Sequence, residues 1–256
     1  MRFQAGRWIG LVIVIVLTVL APVASFAQAR TPEVIAVLGT GRVGAALGPR
    51  FAALGHEVVY GSREPSRATV QALVARSGPR ARATSYAQAV ASASIVLIAL
   101  PWNATEAALA TLDLSGKLVI DPTNPMRLAT SGFMEPVPLE VSAAERIQSL
   151  EPRARVVKAF NAVGAHVMAD PAAGKGPVTV PVVGEDAVAK ARVQELVRAL
   201  GFETIDFGPL RHARQLEGLA LLYMVPFMRG PREDVFEFYL RRGTAPTQSQ
   251  GVRPAQ

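Results

Sequence analysis

From Glu33 onward, short unbroken apolar runs alternate with stretches whose apolar residues recur every three or four positions. Runs of the first kind predict buried strands, and stretches of the second predict amphipathic helices. "EVIAVLG" reads as a buried strand ending in glycine. Arg42 to Leu54 follows as a helix with Val43, Leu47, Phe51 and Leu54 on its apolar face and Gly55 as its C-cap. "HEVVYG" predicts a second strand, Pro65 to Arg76 a helix opened by proline, and "TSYAQAVASA" a helix capped by Ser85. "SIVLIAL" is a further strand, stopped by Pro101, and Ala104 to Leu112 a helix. "KLVIDPTNP" reads as strand plus exit loop, residues 127–140 as loop, and Val141 to Leu150 as helix. "RVVKAFNAVGA" and "GPVTVPVVG" continue as strands, followed by the amphipathic "DAVAKARVQELVRALG" and the strand "FETIDFG". Leu210 to Met224 is helical, with room to run past Pro226.

Strands alternating with helices of ten to fifteen residues define βαβ units, hence an α/β fold with a doubly wound, mostly parallel sheet of Rossmann type. Residues 30–240 are read as one such domain and 241–256 as a disordered tail. Ligands of these sheets sit at the carboxyl ends of the strands. That directs attention to the loops 39–44, 61–67, 100–103, 121–126 and 160–165.

The first of these loops carries Gly39, Gly41 and Gly44 at the spacing G-x-G-x-x-G, between a predicted strand and a predicted helix. That context makes the motif a dinucleotide-binding turn. Gly39 allows the tight turn, Gly41 lets the backbone approach a pyrophosphate at the helix N-terminus, and Gly44 lets helix and strand pack closely. The end of the second strand selects the nucleotide. An NAD site places a carboxylate there to accept from the ribose 2′-OH. Here the residues are Gly61-Ser62-Arg63, with Arg63 nineteen positions after Gly44. Ser62 can donate to a 2′-phosphate, Arg63 can pair with it, and Arg67 stands four positions on. Glu64 is expected to turn away from Arg63. The nucleotide is therefore read as NADP(H).

The first 29 residues do not fit this pattern. Arg2 and Arg7 precede an apolar run from Trp8 to Leu20, and Ala27-Gln28-Ala29 matches the small-x-small cleavage rule. The segment reads as a signal peptide or an N-terminal anchor, giving an exported, periplasmic or membrane-tethered domain. A misassigned start of a cytoplasmic protein, or a core strand, is the alternative. Without the two arginines the net charge of +7 falls to +5, and the remaining basic residues are scattered without interleaved aromatics. This argues against nucleic acid as a partner. The chain holds no cysteine, which excludes disulfides, thiolate metal sites and a cysteine nucleophile.

"GTGRVGAALGPRFAALGHEVVYGSREPSRA" resembles the NADPH-dependent coenzyme F420 reductase family, as do "IALPW", "VVKAFNAVGA" and the block from Pro181 to Leu222 that contains "DFGPL". The likeness covers residues 33–225 and extends to the reductase domains of metal-reducing membrane proteins. It implies hydride exchange between NADPH and a deazaflavin. Thr40, Gly41, Arg42 and Val43 would surround the pyrophosphate; Ser62, Arg63 and Arg67 would hold the 2′-phosphate. Leu100, Pro101 and Trp102 would lie along the nicotinamide half, and Asn124, Pro125, Ala162 and Ala165 would wall the nicotinamide and its acceptor. The export-like segment is foreign to a cytosolic NADPH enzyme.

Such a transfer is carried by the two cofactors, and the protein's part is to stack the rings and exclude water. No catalytic side chain and no metal site is expected. His56 ends the Gly55 turn; His166 lies in an exit loop where contact with substrate is open. Asp121 is expected to cap the Thr123-Asn124-Pro125 turn. Trp102 is equally a core residue or a ring-stacking wall. Asn124 and Asn161 either bond the nicotinamide carboxamide or satisfy loop backbone. The acceptor is a deazaflavin or, in the alternative, a flavin, ferric ion or small imine. A non-catalytic NADP-binding module is the reading from another class. Leu216, Leu219, Leu222 and Phe227 form an apolar helix face that is either a homodimer contact or core.

Overall fold

The computed structural model describes residues 32–130, 134–228 and 236–244. The signal-like segment, and most of the tail, lie outside the described residues.

The chain folds as β1 (Val34–Leu38), α1 (Arg42–Ala53), β2 (Glu57–Gly61), α2 (Ala68–Ser77), β3 (Ala81–Thr84), α3 (Tyr86–Ser92), β4 (Ile95–Ile98), α4 (Trp102–Leu109) and β5 (Leu118–Asp121). A short hairpin follows, β6 (Met126–Leu128) and β7 (Met134–Pro136), then α5 (Ala143–Leu150), β8 (Arg155–Lys158) and α6 (Ala165–Ala169). The domain closes with β9 (Thr179–Gly184), α7 (Ala187–Ala199), β10 (Glu203–Asp206) and α8 (Ala213–Met228). The main sheet has eight strands in the order β3-β2-β1-β4-β5-β8-β9-β10. All neighbours are parallel except β8 and β9, which meet antiparallel with Val157 opposite Gly184. Its first six strands have the Rossmann order, and the direction of winding reverses between β1 and β4, where dinucleotides bind.

The strand alternation divides the core. Ile35 and Val37 point to one face, packed with Leu47 and Phe51 of α1 and Val193 and Leu196 of α7. Ala36 and Leu38 point to the other, packed with Val90 of α3, Leu109 of α4 and Ile147 of α5. Fully buried apolar strands follow because helices cover both faces.

Pro49 lies inside α1 without breaking it. Proline removes the donor to the carbonyl four residues back. That carbonyl, of Ala45, accepts instead from the Arg76 guanidinium at 3.0 Å. Ser85 caps α3 as expected, its hydroxyl accepting from the Gln88 amide. The strand β3 was not legible: its four residues "ARAT" are half-exposed at the sheet edge and carry no apolar run. The hairpin β6–β7 lies within the region read as loop, and Pro65 precedes α2 in a turn rather than opening it. The helix α8 runs through Pro226. Its apolar face is divided in use: Leu216 is buried in the core while Leu222 is 54% exposed, and the side chain of Phe227 lies outside the described residues. Among the described residues no helix is long and apolar enough to cross a membrane.

Candidate functional site

The glycine turn is built as its spacing requires. Gly39 adopts φ +103°, a conformation that favours glycine, and its amide donates to the Gly61 carbonyl at 3.0 Å. A Cβ at Gly44 would stand 2.1 Å from the Gly39 carbonyl oxygen, so this helix residue sits directly on the turn. A Cβ at Gly41 would meet nothing within 4 Å. Gly41 is the N-cap of α1; it has no side chain to accept from the first amides, and the first turn holds no acidic residue. An open approach, unsatisfied N–H donors and the positive end of a twelve-residue helix make this an anion site. Two substitutions separate its roles. Gly44→Ala is expected to destabilise the fold by about 1–3 kcal/mol, as overpacking does. Gly41→Ala is expected to melt like the parent yet bind NADPH at least 10-fold more weakly, since the methyl occupies the phosphate's approach. Thermal melting and NADPH titration of both proteins check this.

Two cavities flank this helix end. The first, of about 200 Å³, is lined by Gly39, Thr40 and Gly41, by Ser62, Arg63 and Arg67 at the β2 exit, and by Leu100 and Pro101 at the β4 exit. Ser62 Oγ accepts from the Glu64 amide at 3.1 Å, which leaves its proton free to donate. Arg63 makes no hydrogen bond or ion pair among the described residues. Glu64 makes no ion pair with Arg63; it lines the same cavity and pairs with Arg67 at 3.9 Å, both side chains exposed. An exposed pair of this kind holds weakly, so Arg67 can exchange it for a phosphate. Thr69 and Tyr86 also line the cavity; neither was singled out, because no motif marks them.

The second cavity, of about 410 Å³, lies on the other side of the α1 N-terminus. Arg42 and Val43 border it, with Asn124 from the β5 exit, Asn161 and Ala165 from the β8 exit, and Ala220, Tyr223 and Met224 from α8. Of the residues assigned to the nicotinamide end, Asn124 and Ala165 therefore line it. Trp102, Pro125 and Ala162 line neither cavity. Trp102 packs with Leu109 and Ile98 on the opposite face of the sheet, because α4 turns its first residue inward as soon as Pro101 ends the strand. Ala162 is buried beneath the loop, and Pro122 rather than Pro125 reaches the cavity wall. His56 and His212 serve the fold: Nδ1 of His56 accepts from the Glu33 amide, and Nδ1 of His212 lies 2.6 Å from the Phe207 carbonyl. His166 borders the cavity.

The floor is rigid and polar. Asn124 Nδ2 donates to the Asn161 carbonyl at 2.8 Å, and Asn161 Nδ2 donates to Asn124 Oδ1 and the Leu216 carbonyl. The two asparagines thus fasten the β5 and β8 exits to α8. Phe160, just before, is a non-glycine residue at φ +66°, an unfavourable conformation held by complete burial and an edge contact with Phe202. Below the asparagines lies an ion cluster whose members stand far apart in the chain. Lys158 Nζ, fully buried, donates to Asp121 Oδ2 at 2.8 Å and the Thr123 carbonyl at 2.7 Å, and stands 3.0 Å from Glu217 Oε1. Asp121 also caps the Thr123 amide, as expected, at 2.8 Å. Burial alone would lower the Lys158 ammonium's pKa, but Asp121 and Glu217 outweigh it and raise it. Glu217 is pushed up by burial, which the single ammonium, shared with Asp121, does not offset.

A Rossmann sheet with a glycine turn, an arginine-lined pocket at the β2 exit and a second cavity beyond the helix end defines an NADP-dependent oxidoreductase domain. The model of the family "NADP oxidoreductase coenzyme F420-dependent" matches residues 34–125. The F420-dependent NADP reductase of Methanothermobacter marburgensis is 32% identical over 203 residues, covering 73% of this chain and 89% of that protein. The chain belongs to this family. A structure from Arthrobacter sp. FB24, assigned provisionally as an F420-dependent NADP-reductase, is 33% identical with a TM-score of 0.72, covering 81% of this chain and all of that one. Metalloreductase STEAP3 of Rattus norvegicus is 33% identical over 191 residues, but the chain spans only 36% of its length. An Aspergillus terreus reductive aminase, solved with NADPH, shares the fold at 21% identity and a TM-score of 0.53.

Proposed function

We propose that the chain transfers hydride between NADP(H) and a planar deazaflavin-type acceptor such as coenzyme F420, seated in the second cavity. The observation that carries this is the placement of that cavity. It opens beside Arg42 and Val43, the first residues of α1 after the phosphate turn, and in this reading it receives the nicotinamide end of an extended dinucleotide. Ser62, Arg63 and Arg67 hold the 2′-phosphate in this reading, Thr40 and Gly41 the pyrophosphate. Leu100 and Pro101 border the path between them, and Asn124 and Ala165 wall the ring. Apolar side chains of Val163, Met168 and Met224 line much of the acceptor's place and exclude water from the transfer.

Flavin, ferric ion and a small imine are the other acceptors; the ferric reading draws on the metalloreductase relatives. NADPH absorbance at 340 nm, followed with each acceptor and residues 30–256 as the protein, is expected to fall fastest with a deazaflavin. Tight NADPH binding without turnover on any acceptor identifies a binding module instead. Residues 1–29 are proposed to export or tether the domain, and a reporter fused after Ala29 tests this: cytoplasmic signal alone overturns it.

A further inference from the structure

One cluster on the second cavity has no part in holding the nucleotide. Tyr223 Oη donates to Glu237 Oε1 at 2.9 Å, and His166 Nε2 stands 3.8 Å from the same oxygen. Tyr223 and His166 line the cavity. Glu237 comes from a segment that runs along β9: the Thr179 amide donates to the Phe238 carbonyl, and the Leu240 amide to Thr179 Oγ1. Phe236 and Phe238 bracket Tyr223 with ring centroids 6.0 and 6.3 Å away, which fixes its ring. The second carboxylate oxygen, Glu237 Oε2, is buried and has no hydrogen-bond partner among the described residues. Such a group is costly to leave ionised and unmatched. Gly164 makes room for two of them: a Cβ there would stand 2.3 Å from Tyr223 Oη and 2.6 Å from the His166 ring.

We infer that Tyr223, backed by Glu237 and with His166 at the cavity edge, is the proton donor that accompanies hydride transfer in this cavity. The inference rests on the hydride-transfer reading above and narrows its acceptor to compounds that take a hydride at carbon and a proton at nitrogen, as a deazaflavin or an imine does. The balance is NADPH plus H⁺ plus acceptor giving NADP⁺ plus the two-electron-reduced acceptor. With Glu237 protonated, its O–H donates across the 2.9 Å contact to Tyr223 Oη and frees the phenol proton; the C4–H electron pair then goes to the acceptor carbon and the Tyr223 Oη–H proton to the acceptor nitrogen. Protonated Glu237 then returns a proton to the phenolate, and His166, half-exposed, links the cluster to solvent. Oxidation of the reduced acceptor runs the same steps backwards. Burial, and then Glu237, raise the Tyr223 phenol's pKa; burial raises the Glu237 carboxyl, opposed by Tyr223, His166 and a hydrogen bond from the Gly164 amide. The shift at Glu237 favours the protonated carboxyl that resupplies the phenol. Among the described residues, Glu237 and His166 are the titratable groups facing Tyr223, while Arg42 borders the cavity from α1.

The test compares wild type, Tyr223→Phe and Glu237→Gln in NADPH oxidation by a deazaflavin, FMN and a cyclic imine. Kd for NADPH is measured alongside, together with pH profiles and the solvent deuterium isotope effect. Tyr223→Phe is expected to lower kcat about 100-fold, as loss of a general acid does, with the NADPH Kd unchanged and the pH dependence flattened. Glu237→Gln is expected to keep NADPH binding and shift the pH profile; it decides the matter if Tyr223→Phe does not fold. Wild-type kcat and an unchanged pH profile in both variants overturn the inference alone. Wild type inert towards every acceptor while binding NADPH overturns the hydride-transfer reading, and the inference with it.

Discussion

Replacing Arg63 by alanine is expected to weaken NADPH binding about 10- to 100-fold while NADH binding changes less than 2-fold. The reasoning is local. Arg63 lines the first cavity from the β2 exit and is committed to no other group among the described residues, so its guanidinium has nothing to exchange when a 2′-phosphate arrives. A charge-assisted hydrogen bond contributes about 1.5–3 kcal/mol, which is the stated range of affinity. Arg67 contributes less on its own, because it must first give up Glu64. Glu64→Gln is correspondingly expected to tighten NADPH slightly and to leave NADH unaffected. The double change at Arg63 and Arg67 is expected to abolish the preference. Titration of both nucleotides at two salt concentrations checks this: the NADPH affinity falls more steeply with salt than the NADH affinity, and an equal loss for both nucleotides on Arg63→Ala overturns the assignment.

The largest effect on stability is expected at Lys158, a residue with no place in nucleotide binding. Lys158→Met leaves Asp121 and Glu217 buried together with no cation between them. Removing one partner of a buried ion pair costs about 3–5 kcal/mol, a fall of roughly 10 °C in melting temperature for a domain of this size. The methionine fills the lysine stem's volume, so the loss reports charge rather than a cavity. Adding Glu217→Gln is expected to recover part of it by removing one of the two uncompensated charges; no recovery means that packing, not charge, was lost. The lysine's own contribution withstands a wide pH range. Lys158 is raised above the ordinary lysine value, so its contribution is complete below that value and is lost only as the pH rises through the raised one. Melting curves from neutral to strongly alkaline pH are therefore expected to hold level before they drop.

Much of the nucleotide half was legible in the chain because its requirements are local. A tight turn needs Gly39, a close helix needs Gly44, and both are set by atoms a few residues away. The choice of nucleotide is likewise read from consecutive residues at one strand end. The acceptor half was less legible. Trp102 and Ala165 look alike in sequence as small steps after strand ends, yet one faces the core and the other the cavity. Which way each turns depends on where α4 and α6 begin. The edge strand β3 was missed for a related reason: its pairing with β2, rather than any apolar run of its own, makes it a strand.

By itself the sequence determined the doubly wound α/β fold, the phosphate turn and the preference for a 2′-phosphate, since each follows from periodicity or from neighbouring residues. Only the tertiary structure decided what fills the other side of the helix end. It joins Lys158 to Asp121 and Glu217 beneath the asparagine pair, and it brings Glu237 across to Tyr223 and His166. A charged side chain reads as solvent-facing until a distant segment supplies its partner. Burial turns such a residue from a surface group into a structural or chemical one, and burial belongs to the packed chain, not to any stretch of it.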